Sequence, residues 1–298
     1  MLNIHNDFLS ASVSTLGAEL QSLRSARTGL EYLWDGDPRW WKGRAPILFP
    51  VVGKLERDRF RHGGEEYTLP QHGFARERAF EVLRAGPERV VLRLTSDPES
   101  LRAWPFPFTL TVSYALEGPA LRQTFRVENP VEQELRFSLG LHPGFRCPLA
   151  PGERWEDYRV SFELPETLER HKLAGGLRTG KTEPFLDGGR EFPLERGLFA
   201  SGAVVLNGVR SRWVRLHNPA TGNGVACSVL GFPWLGFWTK GDGAFLCIEP
   251  WHGVADRVDH DGSLDTKEGL RRLGPGEVFE GVFAVRPLEE AAGVQTGG

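Results

Sequence analysis

The chain has 298 residues, a net charge of -3 and a pI near 6.3, and it contains only 3 cysteines. There is no basic excess to neutralise a phosphate backbone, so nucleic acid is not expected as a partner. The sparse cysteines exclude a disulfide framework and favour a reducing compartment. No stretch approaches the roughly 20 apolar residues of a membrane-spanning helix. We therefore expect a cytoplasmic protein without a membrane partner.

Alternation of apolar and polar residues dominates the first half of the chain, as in half-buried strands. Runs of this kind lie at 8–15, 18–24, 79–84, 89–95, 108–116 and 121–128. The last two are joined by Glu117-Gly118-Pro119, a turn that predicts a hairpin. Asp97 before Pro98 predicts one short helix over 98–103, because aspartate caps helices and proline suits their first position.

The second half continues the same pattern. Its strand-like runs lie at 134–141, 213–217, 225–230, 234–239, 244–249 and 278–285. Many short strands separated by turns predict an all-β sandwich or barrel with very few helices. Residues 165–200, which are richer in glycine, proline and charge, are interpreted as a long excursion. No linker divides the chain, so we predict one domain over 1–289 and a frayed tail over 290–298.

The first segment that departs from strand alternation contains His72, which lies in a loop between Gln71 and Gly73. A loop histidine can cap a turn or bind a ligand, and the adjacent glycine permits close approach of another group. A basic cluster surrounds this loop in the sequence, formed by Lys54, Arg57, Arg59, Arg61 and Arg76. It can be a solvated edge or a clamp for phosphate.

The second segment ends at His142. Counting by twos from Leu135 puts the leucines and Phe137 on one strand face, and Arg136, Ser138, Gly140 and His142 on the other. His142 therefore projects from the polar face, just before a Pro-Gly break. Gly140 removes a side chain beside it, which would leave room for a ligand. A surface histidine that hydrogen-bonds a turn is the alternative.

The third segment contains Glu249 at the end of an apolar strand. A carboxylate there is costly to bury unless it is used or paired. Trp251 could desolvate it and raise its pKa toward neutrality, as a general base requires. The alternative is a salt bridge to an arginine.

Several other chemistries are disfavoured. The chain has no dinucleotide-binding glycine motif, Walker loop or nucleophile elbow, and its cysteines lack metal-site spacing. Some tryptophans could stack on a sugar face, although cross-strand packing accounts for most of them; they are Trp34, Trp40, Trp41, Trp104, Trp234, Trp238 and Trp251.

Four of these motifs, in this order, resemble the aldose 1-epimerase (galactose mutarotase) superfamily, and most closely its LacX-type branch. They are Pro46-Ile47-Leu48-Phe49-Pro50 with Trp34 before it, Gln71-His72-Gly73-Phe74-Ala75-Arg76, Leu141-His142-Pro143, and Cys247-Ile248-Glu249-Pro250-Trp251. The resemblance implies a twisted β-supersandwich with an open sugar-binding groove on a concave sheet. It implies no metal and no organic cofactor.

The resemblance also implies roles for individual residues. Glu249 would take the proton of the anomeric hydroxyl, and His142 would protonate the ring oxygen. For this chemistry we expect the two groups on opposite sides of the sugar ring. Four residues are expected to bind the sugar: His72, Arg76, Arg57 and Trp238, with Arg59 as an alternative arginine. Family members commonly carry an aspartate where this chain reads Ser201-Gly202, which leaves the choice of sugar open.

The function expected is interconversion of the α and β anomers of a hexose. Three alternatives stay open: a hexose-6-phosphate 1-epimerase, a non-catalytic carbohydrate-binding module, and a glycoside hydrolase or lyase that pairs Glu249 with Asp256 or Asp259. The expected partner is a monosaccharide or a sugar phosphate, bound by a monomer or homodimer.

Overall fold

A computed structural model describes residues 1–289, which form an almost entirely β fold. The strands are β1 (Leu2–His5), β2 (Leu9–Val13), β3 (Leu20–Ser25), β4 (Ile47–Leu48), β5 (Arg59–His62), β6 (Glu65–Thr68), β7 (Glu81–Ala85), β8 (Arg89–Thr95), β9 (Thr109–Glu117), β10 (Ala120–Glu128), β11 (Leu135–Phe137), β12 (Leu139–Leu141), β13 (Gly144–Arg146), β14 (Arg159–Ala174), β15 (Leu177–Pro193), β16 (Val204–Asn207), β17 (Trp213–His217), β18 (Gly224–Ser228), β19 (Trp234–Trp238), β20 (Phe245–His252), β21 (Arg271–Leu273) and β22 (Val278–Leu288). The all-β prediction is confirmed.

Helical structure is confined to short pieces. The α-helix α1 spans Pro98–Ala103, as predicted, and the Asp97 side chain accepts a hydrogen bond from the backbone N–H of Ser100 at its start. The 3-10 turns are Glu56–Asp58, Ala75–Glu77, Trp155–Asp157 and Arg196–Phe199. No helix within residues 1–289 has both the length and the apolar character needed to cross a bilayer.

One sheet of 15 strands carries most of the molecule. Its strand order is β4-β12-β20-β19-β16-β14-β17-β18-β22-β10-β9-β8-β7, while β13 also pairs with β20 and β15 with β14. Strands β1, β2 and β3 form a second sheet, and β11-β21 and β5-β6 are two-stranded. The apolar positions of these strands form one large buried core. The three cysteines are buried and free, as the composition indicated.

The segment interpreted as an excursion is a long hairpin arm, formed by β14 and β15. Its pairing shifts register at several places, including between Ser161 and Glu166. These bulges break the period-two alternation, which is why the sequence did not indicate strands here. The turn at Gly175 and Gly176, both with positive φ, ends the arm beside the cavity described below. The predicted tail, 290–298, lies outside the described residues, and the single domain over 1–289 stays a prediction.

Candidate functional site

Strand register brings His142 and Glu249 together. The strand β20 pairs with β19 along one edge and with β12 and then β13 along the other. Gly140 pairs with Trp251, so counting two positions onward places His142 opposite Glu249, and the pairing of β13 with β20 gives the same register. Residues opposite one another in antiparallel strands project from the same face. The two side chains therefore meet at the break between β12 and β13.

The carboxylate and the imidazole are in direct contact. Oε2 of Glu249 lies 3.1 Å from Nε2 of His142. Glu249 is 1% exposed and His142 is 9% exposed, and both line a cavity of about 340 Å³. No arginine within residues 1–289 pairs with Glu249, so the salt-bridge alternative for this carboxylate is wrong. This separation leaves no space for a sugar ring between the two groups, so the expectation that they lie on opposite sides of the ring is wrong.

Burial shifts the pKa values of the two groups in opposite directions, each toward the uncharged form. It raises the pKa of Glu249 well above 4.5, and it lowers the pKa of His142 from 6.5 to about 3. Nδ1 of His142 is buried and has no hydrogen-bond partner within residues 1–289, so nothing there stabilises an imidazolium. Both shifts favour the uncharged pair, a carboxylic acid and a neutral imidazole, in which one proton lies between Oε2 and Nε2.

Trp251 covers the carboxylate from the next position on the same face of β20. Gly236, opposite Glu249 on β19, makes room for it, because a Cβ there would lie 2.6 Å from Cη2 of Trp251. Gly140 does the same, since its Cβ would lie 2.6 Å from Cδ1 of Trp251 and 2.9 Å from Cγ2 of Val52. The prediction that Gly140 leaves room for a ligand is therefore wrong: its missing side chain accommodates the indole.

Two tryptophans hold the His142 ring. The ring centroid of Trp41 lies 4.8 Å from that of His142, and Trp238 approaches edge-on at 5.5 Å. Trp41 also stacks on Phe245 at 5.5 Å. Trp41 and Trp238 both line the cavity, so they offer aromatic surface to the apolar face of a sugar. Trp238 was a candidate from the sequence; Trp41 was one of several tryptophans without an assigned role.

His72 enters the same cavity from a loop, with φ of 68°. The backbone N–H of Gly53 donates to its Nδ1 at 3.1 Å, so a neutral ring carries its proton on Nε2. The amide nitrogen of Gln71 lies 3.1 Å from Nε2 of His72. A half turn of the Gln71 amide group would place its oxygen there instead. Burial, and then the charges of His142 and Arg76, keep the pKa of His72 well below 6.5. His72 is thus a neutral hydrogen-bond donor.

Two arginines reach the cavity. Arg76 donates through Nη2 to the carbonyl of Gln71 at 2.9 Å, and its Nε lies 3.8 Å from the Glu77 carboxylate. Arg178, on the hairpin arm, donates from Nε to the carbonyl of Ala255 at 2.9 Å and pairs with Glu268 at 2.6 Å. No motif or spacing in the sequence marks Arg178 as a site residue. Its placement depends on the arm folding back over the site.

Arg57 lies elsewhere. Together with Arg59 and Arg61 it lines a separate cavity of about 510 Å³, and its side chain is 83% exposed beside Glu56. Lys54 is directed to the hairpin turn, where Nζ lies 3.4 Å from the carbonyl of Gly175. Of the basic cluster, only Arg76 lines the cavity with Glu249.

Other acidic candidates also lie outside the cavity. Asp256 accepts hydrogen bonds from the buried Lys267 at 2.8 Å, and Asp259 pairs with Arg257 at 2.8 Å. The Ser201-Gly202 segment does line the cavity, so the position of the family aspartate faces the site without an acid.

One set of potential metal ligands lies within the described residues at this site: His142, Glu249 and Cys247, whose ligand atoms lie within 4.8 Å of one another. Burial raises the pKa of the Cys247 thiol well above its ordinary value. The thiolate that a metal requires is therefore disfavoured, and the expectation of no metal stays a prediction.

Known proteins provide an independent comparison. Over residues 1–262 the chain matches the family described as aldose 1-epimerase. It is 32% identical to the plasmid form of Protein LacX from Lactococcus lactis subsp. lactis, over 284 residues that cover 92% of this chain and 95% of that protein. The chromosomal form matches with the same identity and coverage.

Solved structures agree with this match. A galactose mutarotase related enzyme from Lactobacillus acidophilus superposes with a TM-score of 0.93 at 32% identity, covering 98% of this chain and 99% of that one. A galactose mutarotase-like protein from Lactobacillus casei gives a TM-score of 0.90 at 31% identity, covering 96% and 99%. The fold is therefore galactose mutarotase-like, and the resemblance seen in the sequence is confirmed. The chain belongs to the aldose 1-epimerase family.

Proposed function

We propose that this protein is an aldose 1-epimerase that interconverts the α and β anomers of a hexose. The observation that carries the proposal is the 3.1 Å contact between Oε2 of Glu249 and Nε2 of His142, in a cavity large enough for a monosaccharide. The hydroxyl oxygen and the ring oxygen that exchange protons in this reaction are bonded to the same carbon, C1. An acid and a base that act on them must therefore lie side by side.

Transfer of the shared proton from Glu249 to Nε2 of His142 gives the reactive pair, a carboxylate and an imidazolium. Glu249 takes the proton of the C1 hydroxyl while Nε2 of His142 gives its proton to the ring oxygen, and the bond from C1 to that oxygen breaks. The product is the open aldehyde, and the pair is now a carboxylic acid and a neutral imidazole. Rotation about C1–C2 turns the other face of the aldehyde toward the hydroxyl that was the ring oxygen. Ring closure on that face then reverses both proton transfers.

Both states of the pair contain one proton, and they differ only in its position. Burial favours the neutral state, because it disfavours the two charges of the other. The cavity thereby brings the two states closer in free energy than they would be in water, where the charged state is strongly favoured. Each positioned acid or base contributes about 10² to 10⁴ in rate.

The remaining polar groups of the cavity suit sugar hydroxyls. His72 offers a neutral N–H, and Arg76 and Arg178 offer guanidinium donors. Trp41 and Trp238 supply the aromatic face on which a pyranose packs. Substrate choice then depends on which hydroxyls meet these donors.

The test is acceleration of anomer exchange. Freshly dissolved α-glucose and α-galactose are followed by polarimetry, and exchange at equilibrium by NMR saturation transfer. We expect acceleration proportional to enzyme concentration for at least one hexose. Sugar binding without acceleration for any hexose would refute the proposal and select the carbohydrate-binding alternative.

The hexose-6-phosphate alternative has less support. It depended on the basic cluster as a phosphate clamp, and Arg57, Arg59 and Arg61 line a different cavity. Comparing kcat/KM for glucose and glucose 6-phosphate decides: a higher value for the phosphate would favour the alternative.

The hydrolase alternative lacks a second carboxylate. Asp256 is engaged by Lys267, and Asp259 by Arg257. Neither residue lines the cavity of Glu249, whereas a glycosidase needs two carboxyl groups about the scissile bond. Release of reducing ends from an oligosaccharide would restore this alternative.

A further inference from the structure

A further cavity, distinct from the one with Arg57, lies on the opposite side of the strand β20 that carries Glu249. Successive residues of a strand project to opposite faces, so Trp251 lines the catalytic cavity and His252 lines another, of about 480 Å³. Strands β21 and β22 contribute Arg271, Phe279 and Gly281 to its wall. The proposed epimerase reaction uses none of these groups.

Arg271 is a partly buried cation without a carboxylate partner in residues 1–289. Its Nη2 lies 3.1 Å from Nδ1 of His252, and its Cζ lies 4.2 Å above the ring of Phe279. Its Nε is buried and has no hydrogen-bond partner. Burial lowers the pKa of this guanidinium. Because an uncompensated buried charge is costly, an anion beside Arg271 would be stabilised.

His252 presents a second donor. Arginine can only donate, so Nδ1 of His252 accepts from Arg271 and a neutral ring carries its proton on Nε2. Burial, and then the charge of Arg271, lowers the pKa of His252 to about 3, so the ring is neutral near pH 7. Nε2 makes no hydrogen bond within residues 1–289. It faces Gly281, where a Cβ would lie 3.7 Å from it.

The rest of the cavity combines positive charge with aromatic surface. Arg122 and Arg212 also line it, but Arg122 lies 3.8 Å from Glu117 and Arg212 pairs with Glu163 at 2.5 Å, so the positive charge available to a ligand is mainly that of Arg271. Glu280, which also lines the cavity, is exposed and 3.6 Å from Arg126. The ring of Phe232 lies 4.5 Å from that of His252. A ligand with a charged end and an apolar body would match both features.

We propose that this cavity binds a small organic anion, a phosphate or carboxylate attached to an apolar group. Its oxygens would accept hydrogen bonds from Arg271 and from Nε2–H of His252, and its apolar part would lie against Phe232 and Phe279. The proposal is independent of the epimerase activity, because it concerns the other face of β20.

The probes are phenyl phosphate and benzoate, with inorganic phosphate and the neutral phenyl glucoside for comparison. Isothermal titration calorimetry is performed with the full chain at low ionic strength. We expect saturable 1:1 binding of at least one aromatic anion, weaker binding of inorganic phosphate, and none of the glucoside at this site. A shift of the His252 Nε2 resonance at saturation would locate the ligand.

Two variants and a matched control complete the test. Arg271→Gln is expected to weaken binding by about tenfold or more, as for loss of a charge-assisted hydrogen bond. Arg272→Gln removes the same charge from the next residue, which does not line the cavity, and is expected to change affinity by less than about twofold. Gly281→Ala keeps both donors but fills the space in front of Nε2, so it should also weaken binding.

Retained anomer exchange and circular dichroism would show that each variant is folded. Equal weakening by Arg271→Gln and Arg272→Gln would reduce the effect to general electrostatics and overturn the proposal. Absence of saturable binding by both aromatic anions would overturn it as well. Neither result would bear on the assignment of Glu249.

Discussion

Glu249 and His142 lie opposite each other in the pairing of β20 with the interrupted strand β12–β13, and their reactive atoms are 3.1 Å apart. The backbone ladder therefore sets the distance between the proposed base and acid. The backbone of His142 is also held: its N–H donates to the carbonyl of Pro46, just before β4, at 3.2 Å. A pair held by strands in this way is preorganised, and substrate does not have to assemble it.

Glu249→Gln is expected to lower kcat by about 10² to 10⁴, because an amide cannot accept the anomeric proton. The fold should persist, since glutamine has the same shape and removes a carboxylate that is costly to bury. Polarimetry measures the loss, and a thermal melt checks the fold. The control is Asp259→Asn, which should keep full activity because Asp259 lines the separate cavity with Arg57. Normal exchange by the Glu249→Gln protein would rule out the assigned base.

His142→Asn and His72→Asn should differ in kind. Loss of the acid at His142 is expected to cost at least about a hundredfold in kcat. Loss of the His72 donor should mainly raise KM, because that hydrogen bond is made to bound substrate in both ground and transition states. Asparagine tolerates the positive φ of residue 72. Steady-state kinetics separate the two, and a kcat defect confined to His72→Asn would reverse the assignment.

The pH dependence of kcat/KM tests the single shared proton. Because the pKa of His142 is lowered from 6.5 to about 3, the pair gains a second proton only in strong acid. Because the pKa of Glu249 is raised, the pair loses its proton only as pH rises through that raised value. We expect kcat/KM to show no loss as pH falls through 6.5, and to decline as pH rises through the raised pKa of Glu249. NMR exchange rates, corrected for buffer catalysis, measure this; an acid limb centred near 6.5 contradicts it.

Arg178→Met is expected to raise KM by about tenfold while kcat changes by less than about threefold, as for loss of a binding hydrogen bond. The matched control is Glu268→Gln, which removes the ion-pair partner but leaves the guanidinium at the cavity. If both variants raise KM equally, Arg178 only anchors the hairpin arm.

Gly236→Ala should be destabilising, because the new Cβ would lie 2.6 Å from Cη2 of Trp251. Overpacking of this kind costs about 1 to 3 kcal/mol. Activity should fall too, since Trp251 can yield only by moving within the cavity of Glu249. Gly197→Ala is the control, since a Cβ there meets nothing within 4 Å. Urea unfolding measures the stability of both variants, and equal stability would contradict the expected clash.

Local chemistry predicted much of the fold. The bounds of β8, β17 and α1 match the sequence interpretation, because alternation and helix capping depend on neighbouring residues only. The strand β20 extends through His252, beyond the predicted end at 249, because its pairing with β12 and β19 continues past Glu249. The hairpin arm was missed because its bulges remove the alternation.

The site was predictable only in part. Residue types and order indicated Glu249, His142 and His72 as candidates, and the structure brings all three to one cavity. Their contact depends on register between distant strands, which local patterns do not contain. For the same reason, the sequence did not show that Arg57 lines a different cavity. Nor did it show that the missing side chain of Gly140 makes room for Trp251. Arg178 could be found only once the arm was placed.

The shared proton has a consequence for exchange with bulk water. Ring opening moves it from the imidazole to the sugar and replaces it at the carboxylate, and ring closure returns both atoms to their starting state. A complete turnover therefore consumes and releases no proton, and no water molecule needs to enter the cavity to reset it. The enzyme meets either anomer in the same state, so its rate should not depend on buffer concentration, in contrast to uncatalysed mutarotation in solution.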